Sequence, residues 1–365
     1  MTSIPAEPYF FNPIFKEKIW GGTALFTKLG KEIPVDTLIG ESWELCGFGD
    51  TQSTVCDGVF VDRTLGALFN DFRAEIANRL TEDDFPILLK FLDSNQKLSV
   101  QLHPNGQYAQ KMGWGNRGKD ECWYIVDAQE DARLILGFKN RVTRDDVFDA
   151  IKSNSLEELL NFVPVKNGDV FYIPAGTVHA ILEGSLIYEI QQPSDLTLRL
   201  YDWGRTDSSG KPRELHIEQS LDFMDTSWRD YKITPIEFLH GDYTHKFRVA
   251  TRFFSIEEFE FLKKTSLDLP AKKYFRILTA LNGPVQLHFG TGSKTLGVGQ
   301  TALIPAICAN LSVEADNGCN LLCSTFPDLQ SDIITPLRKM DIPIRVIQQL
   351  AGNWNNNDLE SFFSH

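Results

Sequence analysis

The sequence predicts a mainly β chain, folded as two jelly-roll-like antiparallel β-barrels with a few inserted helices. Three observations carry that prediction. Short apolar runs, some alternating with polar residues, are broken at close intervals by Gly and Pro. One such run, with the turns on either side of it, occurs twice. The length of 365 residues fits two or three domains better than one. The expected division is a first barrel over residues 1-230, with helical insertions at about 64-84 and 143-162, and a second barrel over 231-365.

Taken in order, Pro8 to Val61 is rich in aromatics and punctuated by Gly and Pro. It reads as short strands and loops, with Gly40-Glu41-Ser42-Trp43-Glu44 entering one strand. Leu65, Leu68, Phe69, Phe72, Ile76 and Leu80 recur at intervals of three and four, which predicts helix. Pro86 opens an apolar stretch that ends in alternation: Leu98, Val100 and Leu102 on one face, Ser99, Gln101 and His103 on the other. Tyr108 to Gly118 reads as Gly-rich loop, and Glu121–Ala128 and Ala132–Gly137 as strands. Two helices are expected next, opened by Thr143-Arg144-Asp145-Asp146 and by the capping box Ser155-Leu156-Glu157-Glu158. Strand and turn return from Val163 to about Leu200. A polar loop, Thr206 to Arg213, then precedes a helix around Ile217 to Met224. Short strands fill Lys232 to Phe326, and the segment beyond, with Asn353 to Asn357, shows no pattern that assigns it.

The repeat pairs Gly168-Asp169-Val170-Phe171-Tyr172-Ile173-Pro174-Ala175-Gly176-Thr177-Val178-His179 with Gly299-Gln300-Thr301-Ala302-Leu303-Ile304-Pro305-Ala306-Ile307-Cys308-Ala309-Asn310. Gly to Pro is six residues in both copies, and Pro to the closing residue is five. Upstream, Tyr124 to Ala128 has a weaker echo in Arg276 to Ala280, so the offset grows from 131 to 152 and the first copy carries the insertion. A turn, a short strand, a Pro-marked turn and a His aimed into a small antiparallel barrel make the second half-motif of a cupin. Because Asn310 replaces His179, only the first barrel is expected to hold a metal.

Composition narrows the function. Apolar residues make up 42 % and charged residues 23 %, and 36 Lys plus Arg face 49 Asp plus Glu, a net charge of -13. Such acidity repels phosphate backbones and anionic headgroups, so neither nucleic acid nor a membrane surface is expected as a partner. The most apolar stretch, Phe85 to Leu92, is far shorter than a membrane span and is interrupted by Lys90. Met1 to Phe11 does not read as a signal peptide, and the six cysteines contain no Cys-x-x-Cys pair. Reduced thiols in the cytoplasm are the expectation. Oligomeric state is left open.

A metal site can be assembled from chain order. Gln101 and His103, two apart on one strand, share a face; Glu121 opens the next strand; His179 closes the half-motif. Two imidazoles, a carboxylate and an amide oxygen suit a borderline divalent ion. Zinc is favoured, because it is a Lewis acid without redox chemistry. Singly, a His-Pro is more often a packed loop residue and a strand-end Glu a weak signal; jointly, within one barrel, they favour a metal. His216, His240, His245, His288 and His365 sit in no comparable pattern and read as structural or solvated, and Trp20 and Trp43 as core, with stacking on a sugar as the lesser alternative.

These residues resemble a known family. Asn12-Pro13-Ile14-Phe15-Lys16-Glu17-Lys18-Ile19-Trp20-Gly21-Gly22, Gln101-Leu102-His103-Pro104, Gly118-Lys119-Asp120-Glu121, His179-Ala180 and Ser194-Asp195-Leu196-Thr197-Leu198-Arg199-Leu200-Tyr201-Asp202 are together similar to type I mannose-6-phosphate isomerase in its shorter bacterial form. The likeness runs from about residue 8 to about 326. It implies reversible isomerisation of mannose 6-phosphate and fructose 6-phosphate with one Zn2+. It also implies Gln101, His103, Glu121 and His179 as ligands, Arg199 as a catalytic-site cation and Lys119 as a polar neighbour of the metal. Longer members carry His-Lys-Pro-Glu where this chain has Gly118-Lys119-Asp120-Glu121, so any role of that His has no counterpart here.

Moving a proton between C1 and C2 through an enediol(ate) requires a cation on the developing oxyanion and a base. Arg199 stays charged and suits the first task. Glu189, Asp195 and Lys119 are the candidate bases. Ser99, Lys97 and Lys90 are the candidates for the sugar's phosphate; Lys90 stands out because a charge inside an apolar stretch demands a partner. Two other readings stay open. A cupin dioxygenase would call for more histidines around iron, and a non-catalytic sugar-phosphate-binding cupin would have no use for the full ligand set.

Overall fold

The computed structural model describes residues 3–34, 37–206, 210–290 and 292–363. The middle of the predicted polar loop, at 207–209, and His365 lie outside the described residues. Four antiparallel sheets form two barrels. In the first, a six-stranded sheet runs Val170–Ile173, Glu121–Ala128, Ser185–Gln191, Leu88–Ser94, Ile39–Leu45, Ile14–Gly22. It faces a five-stranded sheet of Leu198–Tyr201, Val100–Leu102, His179–Ile181, Arg133–Phe138 and Leu160–Pro164. In the second, an eight-stranded sheet centred on Asn320–Thr325, Arg276–Ala280 and Thr301–Ile304 faces a four-stranded one built on Leu311–Ala315. The chain's first strand, Tyr9–Asn12, pairs with Thr301–Ile304, so the N-terminus is stitched into the second barrel.

Strand alternation sends side chains to different cores. Trp123, Ile125, Phe171 and Ile187 fill the first barrel's interior with Leu134 and Ile181 from the facing sheet. The other face of the six-stranded sheet, with Phe91, Tyr124 and Tyr188, packs against Val249, Ile256, Ile277 and Leu322 of the eight-stranded sheet in one continuous core. The outer face of the five-stranded sheet, with Val100, Leu102, Ile135 and Leu198, is covered by Tyr108, Val147 and Met224 from the inserted segments.

The helices differ in detail from expectation. The capping box at Thr143 is complete, its hydroxyl accepting from the Asp146 N–H and the Asp146 carboxylate accepting from the Thr143 N–H, and the helix runs Arg144–Lys152. The helix expected from Ser155 is only the turn Leu156–Glu158, with no side-chain cap; Leu160–Pro164 is a strand, so 143-162 is not continuous helix. Phe162 and Val163, followed by Pro164, favour extended backbone over helix. The helix expected over 64-84 is two short pieces, Leu65–Asp71 and Arg73–Ala77, parted at Phe72. The loop expected from Tyr108 begins inside the helix Gly106–Lys111, capped by Asn105, whose side chain accepts from the Tyr108 N–H at 2.8 Å.

The repeat is real, and both copies open on a glycine at positive φ, 81° at Gly168 and 71° at Gly299. Its upstream echo needs re-registering. Ile173 pairs with Glu121, and its counterpart Ile304 pairs with Arg276. Arg276 therefore occupies the position of Glu121, not that of Tyr124.

Candidate metal centre and active site

The ligand candidates meet because three strands of the five-stranded sheet put one row of side chains inside the barrel. His179 pairs with Gln101, and Gln101 with Arg199. His103 follows on Gln101's strand, and Glu121 enters from the facing sheet. His103, Glu121 and His179 are all buried, and one ligand atom from each lies within 4.8 Å of the others. His103 Nε2 is 3.1 Å from one Glu121 oxygen, and His179 Nε2 is 3.7 Å from the other.

Both imidazoles are oriented from behind. The Nδ1 of His103 sits 2.7 Å from the Leu196 carbonyl oxygen, and that of His179 sits 2.9 Å from that of Thr177. With Nδ1–H donating to these carbonyls, each Nε2 lone pair points at the shared centre, the arrangement metal-binding histidines use. Gly176, in the turn before His179, has φ of 89° and donates its N–H to the His103 carbonyl at 2.8 Å. His179 Nε2 and Glu121 Oε2 are buried with no hydrogen-bond partner, which suits donors meant for a cation. Burial, with His103 nearby, pushes the His179 imidazole down to about 3; burial and Lys119 lower that of His103. Both are thus neutral at neutral pH and able to ligate. Burial alone would raise the Glu121 carboxyl, but Lys119 and His103 hold it well below its ordinary value. Lys119 Nζ lies 2.6 Å from Glu121 and 3.1 Å from His103 Nε2, so its ammonium is directed at the ligand cluster.

A cavity of about 290 Å³ opens from this centre. Gln101, Glu121, His179, Lys119, Glu189, Asp195, Arg199, Ser99 and Lys90 all line it. Ser99 donates to Gln101 Oε1 at 3.1 Å. Glu189 is buried, accepts from Trp123 Nε1 at 2.9 Å and lies 3.3 Å from Lys90 Nζ. Burial and the Glu121 charge raise its carboxyl above the usual range. Asp195 is exposed at the rim. Arg199 donates to the Glu214 carbonyl at 2.9 Å, while its buried Nε lacks a partner. Neither His103, which stands behind the wall against Glu121 and Lys119, nor Lys97 lines the cavity; the Lys97 ammonium stands 4.5 Å above the Trp203 ring.

Other lining residues escaped the sequence reading: Lys18, Glu41, Trp123, Thr197 and Arg213. Trp20, read as core, is buried and also forms cavity wall. Glu41 joins Lys18 at 3.0 Å and Lys90 at 3.9 Å, extending Lys90–Glu189 into a row of alternating charge across the sheet. Arg213 is held by Asp202, which also binds Arg205. The signal for Lys18, Glu41 and Trp123 was alternation on strands whose partners only the fold reveals; Thr197 and Arg213, outside the strands, had none.

The chain is similar to several known proteins. Residues 10–139 match the family model for the type I phosphomannose isomerase catalytic domain. The chain is 37% identical over 313 residues to mannose-6-phosphate isomerase ManA of Bacillus subtilis (strain 168), spanning 86% of this chain and 98% of that one. It is 33% identical over 311 residues to a mannose-6-phosphate isomerase of Streptococcus mutans, spanning 85% and 96% respectively. The crystal structure of the mannose 6-phosphate isomerase from Bacillus subtilis superposes with a TM-score of 0.81 at 33% identity, covering 87% of this chain and 99% of that one. The two-barrel cupin fold, the buried triad and these likenesses agree, and the chain belongs to the type I phosphomannose isomerase family.

Proposed function

We propose that this protein reversibly interconverts mannose 6-phosphate and fructose 6-phosphate, with one zinc held by Gln101, His103, Glu121 and His179. The observation that carries the reading is the convergence of three buried donors, two of their atoms without a hydrogen-bond partner, at a cavity that Glu121 and His179 line. When bound, the ion supplies Lewis-acid polarisation of the sugar's oxygens.

The chain's own residues do the rest. Arg199 presents a permanently charged guanidinium to the enediolate. Glu189, buried and with its carboxyl raised, is the group best placed to hold and return the C1/C2 proton; Asp195 at the rim and Lys119 beside the ligands are the other candidates. Ser99 and Lys90 are the candidates in reach of the phosphate, with Lys97 outside the cavity. None of the helices among the described residues is long and apolar enough to cross a membrane. The six unpaired thiols accord with a cytoplasmic setting.

Mannose 6-phosphate incubated with the protein in D₂O and followed by NMR tests the reading. Fructose 6-phosphate should form, with deuterium entering at C1 or C2 whenever the carried proton exchanges with solvent. No product and no exchange would overturn it.

A further inference from the structure

The segment after the second barrel does not stop at covering that barrel. Its short helices, Thr335–Lys339 and Ile344–Gln348, lead to Gly352, whose φ of 103° turns the chain back. A Cβ on Gly352 would fall 2.3 Å from the Trp354 ring, so only glycine lets that indole fold against the turn. Asn357 locks the loop: its amide donates to the carbonyls of Gln348, Gly352 and Trp354, and its oxygen accepts from the N–H groups of Leu359 and Glu360. Asp358 then pins it to Arg252, accepting from the backbone N–H at 2.8 Å.

What this loop presents is Trp354, at the edge of the first barrel. The indole packs against both the shared core between the barrels and the first barrel's interior. It stacks on Tyr172 with centroids 5.7 Å apart and planes at 21°. The Tyr172 hydroxyl donates to Asp120 at 2.5 Å, and the other Asp120 oxygen accepts from the Ala175 N–H at 3.2 Å. Asp120 precedes the ligand Glu121, and Ala175 lies in the turn that delivers His179. One carboxylate therefore ties together the strand entry and the turn that bring in two of the three donors from opposite sheets.

We infer that Trp354, acting through Tyr172 and Asp120, is a positioning residue for the metal centre: the C-terminal segment braces the spacing between Glu121 and His179 from behind. The inference rests on the metal site proposed above. Groups behind the ligands that fix their orientation are worth roughly 10- to 100-fold in metal affinity, and this brace should act on the same scale although it touches no ligand.

The test uses the full chain and zinc alone. Chelator competition gives the zinc dissociation constant, and thermal unfolding with and without zinc gives the metal-linked stabilisation. Trp354→Ala should weaken zinc binding roughly tenfold and shrink the zinc-induced rise in melting temperature. Tyr172→Phe, which keeps the stacked ring but deletes the hydroxyl, should weaken binding in the same direction. Trp354→Phe should restore most of it. A Trp354→Ala protein that melts earlier yet binds zinc as the parent does would make the tryptophan merely structural and overturn the inference; so would an unchanged affinity in Tyr172→Phe. If the parent chain itself bound no zinc, the metal site would fail instead, which keeps the two outcomes distinct.

Discussion

The two barrels put opposite charges at the same place. In the first, Ile173 pairs with Glu121, a buried carboxylate facing two imidazoles. In the second, Ile304 pairs with Arg276, whose buried guanidinium donates to the carbonyls of Leu269, Pro270 and Cys308 at 3.2, 3.1 and 2.6 Å. The position of His179 is taken by Asn310, which is exposed, and the interior is filled by Leu278, Leu287, Val313 and their neighbours. The first barrel leaves two buried donor atoms, on Glu121 and His179, without partners. Its twin carries a cation of its own and satisfies backbone oxygens with it. The duplication thus separates a barrel with a converging cluster of buried donors from a packing scaffold by side-chain choice at two registered positions.

The sharpest way to break the comparison is to remove the donors from the first barrel. Glu121→Gln and His179→Ala should each abolish metal retention and lower isomerase turnover on the order of 10³-fold, whereas Asn310→Ala should alter neither. Metal content per chain and initial rates on mannose 6-phosphate check this. Arg276→Met should do the reverse. It leaves three carbonyls without their donor and should cost about 3 to 4 kcal/mol of stability, read by urea unfolding, with turnover per folded molecule unchanged.

The second barrel also has an acid-sensitive lock. Glu257 lies 2.6 Å from Lys272 and 2.7 Å from His245. Burial would raise its carboxyl, but Lys272 and the His245 hydrogen bond bring it down to about 2. A carboxyl lower in the folded than in the unfolded chain adds stability above its unfolded value and loses it as pH falls toward the folded one. Stability should therefore drop between about pH 4.5 and pH 2 by up to about 3 kcal/mol, and Glu257→Gln should flatten that part of the curve. Among cavity residues, Arg199→Ala should slow turnover about 100-fold without changing the melting temperature. Lys97→Ala, outside the cavity, should change the rate less than about twofold.

Much of this contrast is legible in the chain. Gly168 to His179 and its counterpart announce both barrels, and Asn310 marks the copy without the closing histidine. Alternation at Ser99, Gln101 and His103 sets the ligand face, because outward Val100 and Leu102 must find a helix cover. Arg276 is not legible as the partner of Glu121, since only strand register aligns them across an insertion of unknown length. Ser155-Leu156-Glu157-Glu158 misleads because a cap cannot sustain a helix when the residues after it favour extended backbone. Arg213 and Thr197 join the cavity through tertiary approach alone. Trp354 carries no periodic signal; its role emerges from the ring it stacks on.

The central claim, one catalytic ion in the first barrel, is tested most directly by stripping the protein with a chelator and titrating zinc back while following turnover of mannose 6-phosphate. Activity should vanish on stripping and return along a line that breaks at one equivalent per chain. Full activity in the stripped protein, or a break at two equivalents, would contradict the account.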